Sequence, residues 1–191
     1  FLGHDIMVSL PMVGRLLIKL GVIRASHAMA DKAFLAGRKL VVFPGGNHEA
    51  FRTFSDRHQI DFGGHKGYVR LALRHNAPIV PMLNLGGHET FFVIHQGKWL
   101  AEKLRVKKYL RSESCPLFLG LPWGIGFGPI FHLPLPAKTD VYVGEPIDLS
   151  SYRAEDESNP KVIAEVDALV RGRLQEMMDA HSVKRKLPLL G

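Results

Sequence analysis

Cysteine is almost absent from this sequence of 191 residues, and several common catalytic motifs are missing. Cys115 stands alone, so the chain can form neither an internal disulfide nor a zinc site built on several thiolates. We expect it to fill a small apolar space, in a compartment that keeps thiols reduced. No Gly-x-Ser-x-Gly elbow occurs, which excludes the usual nucleophile of an α/β-hydrolase. The zinc-protease motif His-Glu-x-x-His is excluded too, because Arg52 and Phe92 stand where the second histidine would follow His48 and His88.

Charged side chains are missing from residues 115–137, the longest uncharged stretch of the chain. The stretch is long enough to cross a bilayer, but five prolines and four glycines interrupt it. A lipid-exposed helix with these residues would leave backbone groups without hydrogen bonds, so it is a poor transmembrane helix. Two interpretations stay open. It forms buried segments that connect strands or line an apolar pocket, or it forms a membrane-facing loop with Trp123 and Phe127 at the interface.

The composition predicts one folded domain over residues 1–191. Hydrophobic residues make up 46% of the chain and charged residues 23%, which is typical of a globular protein with a core of useful size. The formal charge of +7 and the pI near 9.7 predict an anionic partner. The basic residues are scattered and form no nucleic-acid motif, so we expect no nucleic acid. An anionic membrane surface fits better, and we expect association with the cytoplasmic face of a membrane.

A predicted strand that ends in a pair of glycines is the most informative local feature. The strand covers residues 41–43 and stops at a proline. The two glycines lack a Cβ and allow the backbone to approach a ligand closely. Polar side chains follow at once. The candidate binding residues of this segment are Phe43, Pro44, Gly45, Gly46, His48, Glu49 and Arg52.

A helix and a second strand follow this loop. Apolar residues recur at helical spacing over 66–75, and the chain turns at Asn76 into a strand predicted over Ala77–Pro81. Strand, loop, helix and strand make a βαβ-like unit, in which ligands gather at the carboxyl ends of strands, where Pro81 falls. Lys66 opposes the helix dipole at the helix start. It is either a solvated side chain or a sign of an anionic partner.

The remaining predicted elements complete an α/β layout. Gly21 and Gly37 are predicted helix stops. Pro160 lies in the first turn of the last helix, where proline is well tolerated. Helices are predicted over Ser9–Leu20 and Ser26–Leu35, and a strand over Thr139–Gly144.

Several blocks in a fixed order resemble the glycerolipid acyltransferase superfamily, which includes the lysophosphatidic acid and diacylglycerol acyltransferases. These blocks are Phe43–Gly46, Lys66-Gly67, Ala77–Pro81 and, upstream, Leu10–Gly14 and Leu20–Arg24. The resemblance covers roughly residues 8–150. It implies an α/β fold with a central, mostly parallel sheet flanked by helices. It also implies transfer of a fatty acyl group from acyl-CoA or acyl-carrier protein to a hydroxyl of a lipid acceptor, with no metal and no cofactor.

The catalytic motif of this superfamily is His-x-x-x-x-Asp, in which the histidine is the general base and the aspartate orients it. No histidine of this sequence has an aspartate five residues further on. The resemblance places the pair before Leu10–Gly14, so we expect it upstream of Phe1 in a chain that also begins without methionine. The alternative is a lipid-binding peripheral membrane module that has no transfer activity.

The resemblance also bears on the acceptor. In the phospholipid branch the loop reads Phe-Pro-Glu-Gly-Thr-Arg, and its arginine pairs with phosphate. Here Gly45 replaces the glutamate and His48 stands at the arginine position, while Glu49 matches the Pro-Gly-Gly-x-x-Glu pattern of the diacylglycerol branch. A neutral acceptor is therefore favoured. Phosphate binding by other basic residues stays open, and the candidates are Arg24, Lys66 and Arg70.

Overall fold

The computed structural model describes residues 2–3, 11–103, 114–122, 124–128 and 133–185, and it divides the chain into two compact units. The first unit comprises Phe1–Pro44, His65–Pro78 and Asp148–Val166. The second comprises Gly45–Gly64, Ile79–Ile147 and Asp167–Gly191. Each unit is assembled from three separate stretches of chain, and the single domain expected from composition stays a prediction.

Helices are more extensive than strands in the described residues. The α-helices are α1 (Pro11–Lys19), α2 (His27–Leu35), α3 (Gly46–Ala50), α4 (Gly67–Arg74), α5 (Gly87–Thr90), α6 (Lys98–Lys103) and α7 (Pro160–Ser182). Short 3-10 helices cover Phe54–Asp56 and Ala154–Ser158. The strands are β1 (Leu2–Gly3), β2 (Ile23–Arg24), β3 (Met82–Leu85), β4 (Phe92–His95), β5 (Leu117–Gly120), β6 (Gly124–Phe127) and β7 (Asp140–Val143).

The core of the first unit forms around α4. Val69 and Leu73 of this helix are almost completely buried, because they lie four residues apart on its apolar face. The helix packs against the 3-10 helix Ala154–Ser158. Arg74, at the end of α4, donates a hydrogen bond through Nε to the Glu157 carboxylate of that 3-10 helix.

An aspartate joins α2 to the end of α4 in the same unit. The carboxylate of Asp31 lies 2.7 Å from Nε2 of His75 and accepts a hydrogen bond from Nη1 of Arg74 at 3.1 Å. These partners hold the pKa of Asp31 below its usual value, the His75 bond contributing most. The His75 ring also stacks on Phe34, with ring centroids 4.6 Å apart. Arg74 is therefore part of a polar network that links two helices.

The second unit contains two small antiparallel sheets. In one, β3 pairs with β7, from Met82 opposite Val143 to Leu85 opposite Asp140. In the other, β5 lies between β4 and β6. The part of α7 that belongs to this unit buries residues at every fourth position, which makes an apolar stripe. The buried residues of that stripe are Val170, Leu174 and Met178.

Local patterns predicted four of the seven α-helices in the described residues, namely α1, α2, α4 and α7, and missed the short helices α3, α5 and α6. The helix expected over Ser26–Leu35 is confirmed as α2, and Oγ of Ser26 accepts the backbone N–H of Met29 at 3.3 Å as an N-cap. The last helix begins at Pro160, as predicted. The predicted strand over Thr139–Gly144 is confirmed as β7. The helix expected over Ser9–Leu20 is seen as α1 (Pro11–Lys19), and its first two predicted residues lie outside the described residues, as does Trp123.

Two predicted strands are wrong, the one before the glycine loop and the one after α4. Residues 38–43 form no regular strand, although the carbonyl of Val41 accepts a hydrogen bond from the backbone of Leu2. Over Ala77–Pro81 there is only an isolated antiparallel bridge between Ile79 and Ile147. Prolines 78 and 81 carry no N–H and so cannot donate to a strand ladder. The regular strand, β3, therefore starts only at Met82, one residue after the end of the predicted strand.

The expected central, mostly parallel sheet finds no support in the described residues. They form three separate small sheets, in which the parallel pair is β1 with β2 and the other pairings are antiparallel. The expected βαβ unit is therefore not formed by β3, whose partner β7 runs in the opposite direction. Within the described part of the chain, no helix combines the length and the apolar character needed to span a bilayer.

Gly86, which precedes α5, is required by its backbone conformation and by a close contact. Its φ is +103°, and an added Cβ would lie 2.2 Å from the carbonyl oxygen of Lys138. We expect Gly86→Ala to lower the free energy of unfolding by about 2 kcal/mol or more, because both strain and overlap oppose the methyl group. Urea denaturation measures this change.

The neighbouring glycine supplies a matched control. A Cβ on Gly87 would meet its nearest neighbour, Nδ2 of Asn84, at 3.8 Å, an ordinary contact. We expect Gly87→Ala to change the free energy of unfolding by less than about 1 kcal/mol. Equal losses in the two variants would contradict the role assigned to Gly86.

Candidate functional site

The glycine loop continues directly into α3 of the second unit. Gly45 is buried at the N-cap of this helix, and Gly46 begins the helix with a φ of +47°. A Cβ on Gly46 would have no neighbour within 4 Å. The loop backbone therefore borders open space at Gly46, as expected of a position where a ligand approaches the main chain.

A histidine and an aspartate pair beside this loop. Nε2 of His48 lies 2.9 Å from Oδ2 of Asp61. The other carboxylate oxygen of Asp61 accepts the backbone N–H of Gly63 at 3.0 Å. These two bonds, the His48 bond first, hold the pKa of Asp61 below its usual value. An ionised carboxylate is thus available to orient the His48 ring, and about a third of that side chain is exposed.

The same aspartate also holds Arg52. Arg52 is only 5% exposed, and its Nη2 donates to the backbone carbonyl of Asp61 at 2.6 Å. The segment just before Asp61 is fixed to α7 by Gln175, whose side-chain amide accepts the N–H of Ile60 and donates to the carbonyl of His58. Arg52, just after α3, is therefore tied to Asp61, and residues 58–60 are tied to α7. These hydrogen bonds are partly buried and are costly to break.

Glu49 folds back over the glycine pair. A Cβ on Gly45 would lie 2.5 Å from Cβ of Glu49 and 2.7 Å from its Oε2, so this helix turn requires glycine at position 45. Burial raises the pKa of the Glu49 carboxyl group, and the positive charges of Arg52 and His48 only partly oppose this. Glu49 can therefore hold a proton at a higher pH than an exposed glutamate.

His88, in α5, lies in a similarly dry and positive environment. Burial, followed by the charges of Arg52, Arg57 and His58, lowers the pKa of His88 to about 4. The pKa of His58 is lowered too, mainly by burial. Both imidazoles are therefore neutral near pH 7 and offer one donor and one acceptor nitrogen each.

A buried carboxylate next to His88 balances two arginines. Glu89 is 3% exposed, and its Oε1 lies 3.9 Å from Nε of Arg57 and 3.6 Å from Nε of Arg185. Arg185 also lies 3.5 Å from Oδ2 of Asp140. The Arg57 guanidinium covers the ring of Phe54 at 4.1 Å. Buried charges are kept together here because removing one partner would leave another uncompensated.

The described residues also form an open cleft of about 280 Å³ lined by Thr53, Asp56, His95, Gln96 and Trp99. Among all the residues that the structure describes, no group of three or more histidine, cysteine, aspartate or glutamate residues is arranged to hold a metal ion.

A family model for diacylglycerol acyltransferases matches residues 6–189, almost the whole chain. The chain belongs to the diacylglycerol acyltransferase family. An uncharacterized protein of Mycobacterium tuberculosis is 30% identical over 177 residues, which cover 93% of this chain and 47% of that protein. Human 2-acylglycerol O-acyltransferase 3 is 28% identical over 162 residues, covering 80% of this chain and 44% of the relative. Mouse diacylglycerol O-acyltransferase 2 is 27% identical over 163 residues, covering 80% of this chain and 39% of that protein.

This member of the diacylglycerol acyltransferase family therefore spans less than half the length of the curated relatives it matches. No solved structure matches it. The acyltransferase resemblance seen in the sequence blocks is confirmed at the level of the family.

The structure brings together part of the predicted binding set. One group lies in the second unit around the glycine loop: Gly45, Gly46, His48, Glu49 and Arg52. Pro81 is buried in the same unit, immediately before β3. The other group belongs to the first unit: Arg24, Phe43, Pro44, Lys66 and Arg70. Arg52 is committed to the Asp61 carbonyl, so direct contact between its guanidinium and a substrate stays a prediction.

Sequence reasoning missed Asp61 and His88. Asp61 lies thirteen residues beyond His48, so a search for aspartate five residues after a histidine passes over it. A local signal did exist, since Asp61 precedes Gly63 by two residues and accepts its N–H, a common turn arrangement. His88 carried no such signal, because its pKa depends first on burial and then on arginines far away in the sequence.

The depressed pKa of His88 predicts a pH dependence of stability. Between its ordinary value of 6.5 and its folded value of about 4, the unfolded chain binds more protons than the folded one. Stability is therefore fully present above about pH 6.5 and falls as the pH drops toward 4, by about 2–3 kcal/mol. We expect His88→Gln to remove this part of the decline, measured as the difference between urea-denaturation curves at each pH.

Exposed His27, at the start of α2, gives the control. His27→Gln should leave the pH profile parallel to that of the unmodified protein. The role of His88 would be contradicted by a His88→Gln profile that declines as steeply as the unmodified one.

Proposed function

We propose that this chain is part of an enzyme that moves a fatty acyl group from a thioester donor to a hydroxyl of a glycerolipid. The donor is acyl-CoA or acyl-carrier protein, and it is a substrate, so no bound cofactor is required. The single observation that carries this proposal is the family match over residues 6–189. The Pro-Gly-Gly loop, with open space beside Gly46, supports it at the level of the site.

The transfer has a simple balance. The acceptor oxygen forms a C–O bond with the thioester carbonyl carbon while the C–S bond breaks. A base takes the hydroxyl proton, and the departing thiolate is protonated to the free thiol. An alcohol is a poor nucleophile without such a base. The resemblance assigns that role to a His-x-x-x-x-Asp pair that these 191 residues lack, so we assign substrate binding to the loop.

The electrostatics of the loop favour a neutral acceptor. Glu49 is buried and keeps its proton more readily than an exposed carboxyl group, so it can donate a hydrogen bond to an ester or hydroxyl oxygen. Arg52, which might serve a phosphate, is buried and donates to Asp61. A diacylglycerol or monoacylglycerol carries no charge that this environment would have to neutralise. Such acceptors reside in membranes, and we place the enzyme on the cytoplasmic face.

The first test is a competition between acceptors. With one labelled acyl-CoA donor, diacylglycerol and lysophosphatidic acid are offered together to the full-length protein in detergent micelles. We expect a preference for diacylglycerol of roughly ten-fold, because the imidazole at position 48 lacks the charge-assisted fork of an arginine, which is worth about 1–2 kcal/mol.

A preference for lysophosphatidic acid would move the chain to the phospholipid branch. The runner-up function, a lipid-binding module, is favoured by the missing His-x-x-x-x-Asp motif. Lipid binding without transfer to either acceptor would establish it and remove the enzymatic proposal.

The second test fills the space beside the loop. Asparagine tolerates positive φ better than other side chains, so Gly46→Asn should fold while its amide occupies the space where substrate approaches. We expect kcat/KM for acyl transfer to fall at least ten-fold, or about 1.4 kcal/mol. The thermal midpoint should shift by only a few degrees.

Gly37 is a matched control, since it too has a positive φ, of +67°, and nothing within 4 Å of an added Cβ. Gly37→Asn should keep full transfer activity. Normal activity in a folded Gly46→Asn variant would show that the loop does not meet substrate.

A further inference from the structure

In the sheet formed by β4, β5 and β6, the strands β5 and β6 are apolar on both faces. On one face Val93 and Phe118 are buried, and the Phe118 ring covers Gly126. Side chains of directly opposed residues share a face, and the register pairs Leu117 with Phe127 and Leu119 with Ile125 on the other side. That second face is open: Ile125 is 67% exposed and Phe127 55%.

The same face continues past the end of β5. Leu121 and Leu133 form an antiparallel bridge, with the N–H of Leu133 donating to the Leu121 carbonyl at 2.7 Å. Both leucines are about half exposed. We call the set the outer sheet face: Leu117, Leu119, Leu121, Ile125, Phe127 and Leu133. In β5 and β6 this face carries only apolar side chains, whereas a sheet face in water normally carries polar residues. The edge strand β4 adds Phe92, opposite Leu119, and the exposed His95, opposite Leu117.

The sequence around this face has the charge pattern of a lipid-binding segment. Residues 114–137 carry no aspartate, glutamate, lysine or arginine. Immediately before them, residues 98–113 carry six basic side chains and two acidic ones, Glu102 and Glu113. The basic residues are Lys98, Lys103, Arg105, Lys107, Lys108 and Arg111. Anionic headgroups attract such a run at about 1 kcal/mol per basic residue near the surface, while exposed apolar side chains enter the interface.

A second copy of this chain fits the face less well. Each copy carries a formal charge of +7, so face-to-face pairing would bring two like-charged molecules together. The exposed side of the β3–β7 ribbon is also a weaker candidate. There the polar Asn84 lies opposite Val141. The charged residues Asp140 and Lys138 lie one and three residues before Val141 in the chain.

We propose that the outer sheet face is a membrane-docking surface that inserts Ile125 and Phe127 into the interface of a bilayer containing anionic lipids. The net positive charge of the chain favours lipids with anionic headgroups. The binding is peripheral, because apolar side chains on one face of a short sheet reach only the headgroup and upper acyl region. The surface is separate from the glycine loop, so the inference goes beyond the proposed acyl transfer.

Vesicle sedimentation tests the proposal. The protein is mixed with vesicles of phosphatidylcholine and phosphatidylserine in equal parts. We expect it to bind at about 0.1 M salt and to bind less at about 1 M salt, where the Debye length falls from about 10 Å to about 3 Å. The double variant Ile125→Thr, Phe127→Thr keeps strand-forming residues but should weaken binding at least ten-fold.

A matched control comes from β7 of the same unit. Val141 and Val143 are exposed to a similar degree, at 61% and 64%. Val141→Thr, Val143→Thr should leave vesicle binding within two-fold. A gain-of-binding variant guards against misfolding as an explanation: Ile125→Trp places an interfacial residue at the most exposed position and should strengthen binding.

The outcomes separate cleanly. The docking surface is wrong if the unmodified protein does not bind vesicles, if the Ile125 and Phe127 variant binds normally, or if only the β7 control loses binding. Self-association that disappears in the Ile125 and Phe127 variant, without vesicle binding, would make the face an interface between copies. Acyl transfer to detergent-dispersed acceptor should be unchanged in this variant, so loss of docking and failure of the proposed function are distinguishable.

Discussion

Asp61 is the residue on which the geometry of the glycine loop depends. Its side chain accepts hydrogen bonds at 2.9 Å from His48 and at 3.0 Å from the Gly63 backbone, and its carbonyl accepts one at 2.6 Å from Arg52. The His48 side chain, the Arg52 side chain and the backbone N–H of Gly63 thus all bond to one residue. The loop can then expose Gly46 without losing its shape, because glycine adopts a positive φ without steric cost and these bonds hold the residues that follow it.

Low polarity around the loop shifts the pKa values of its titratable groups. Burial raises the pKa of Glu49 and lowers that of His88, so both groups move toward their neutral forms. The charges that remain are matched, as at Glu89 between Arg57 and Arg185. A dry environment with neutral hydrogen-bonding groups suits an uncharged lipid headgroup better than a phosphate, which would need a free cation.

The small sheets show how a short chain can combine a core with an apolar exterior. In the sheet of β4, β5 and β6, Phe118 and Val93 belong to the core while Ile125 and Phe127 stand in the open. Exposing such residues in water has a cost, since apolar surface gains about 25 cal/mol for each Å² that is buried. A membrane interface removes this cost without requiring a helix that crosses the bilayer.

The sequence by itself determined the four longest helices, the site's glycine pair and the family. Ser26 and Pro160 mark helix starts by local chemistry, and the ordered blocks around Phe43–Gly46 and Ala77–Pro81 carry the acyltransferase resemblance. Only the tertiary structure decided that β3 pairs antiparallel with β7, that Asp61 holds His48, and that His88 is neutral. Helix periodicity and caps depend on neighbours within a few residues. Strand partners, burial and pKa values depend on groups brought together from distant parts of the chain, which no local pattern records.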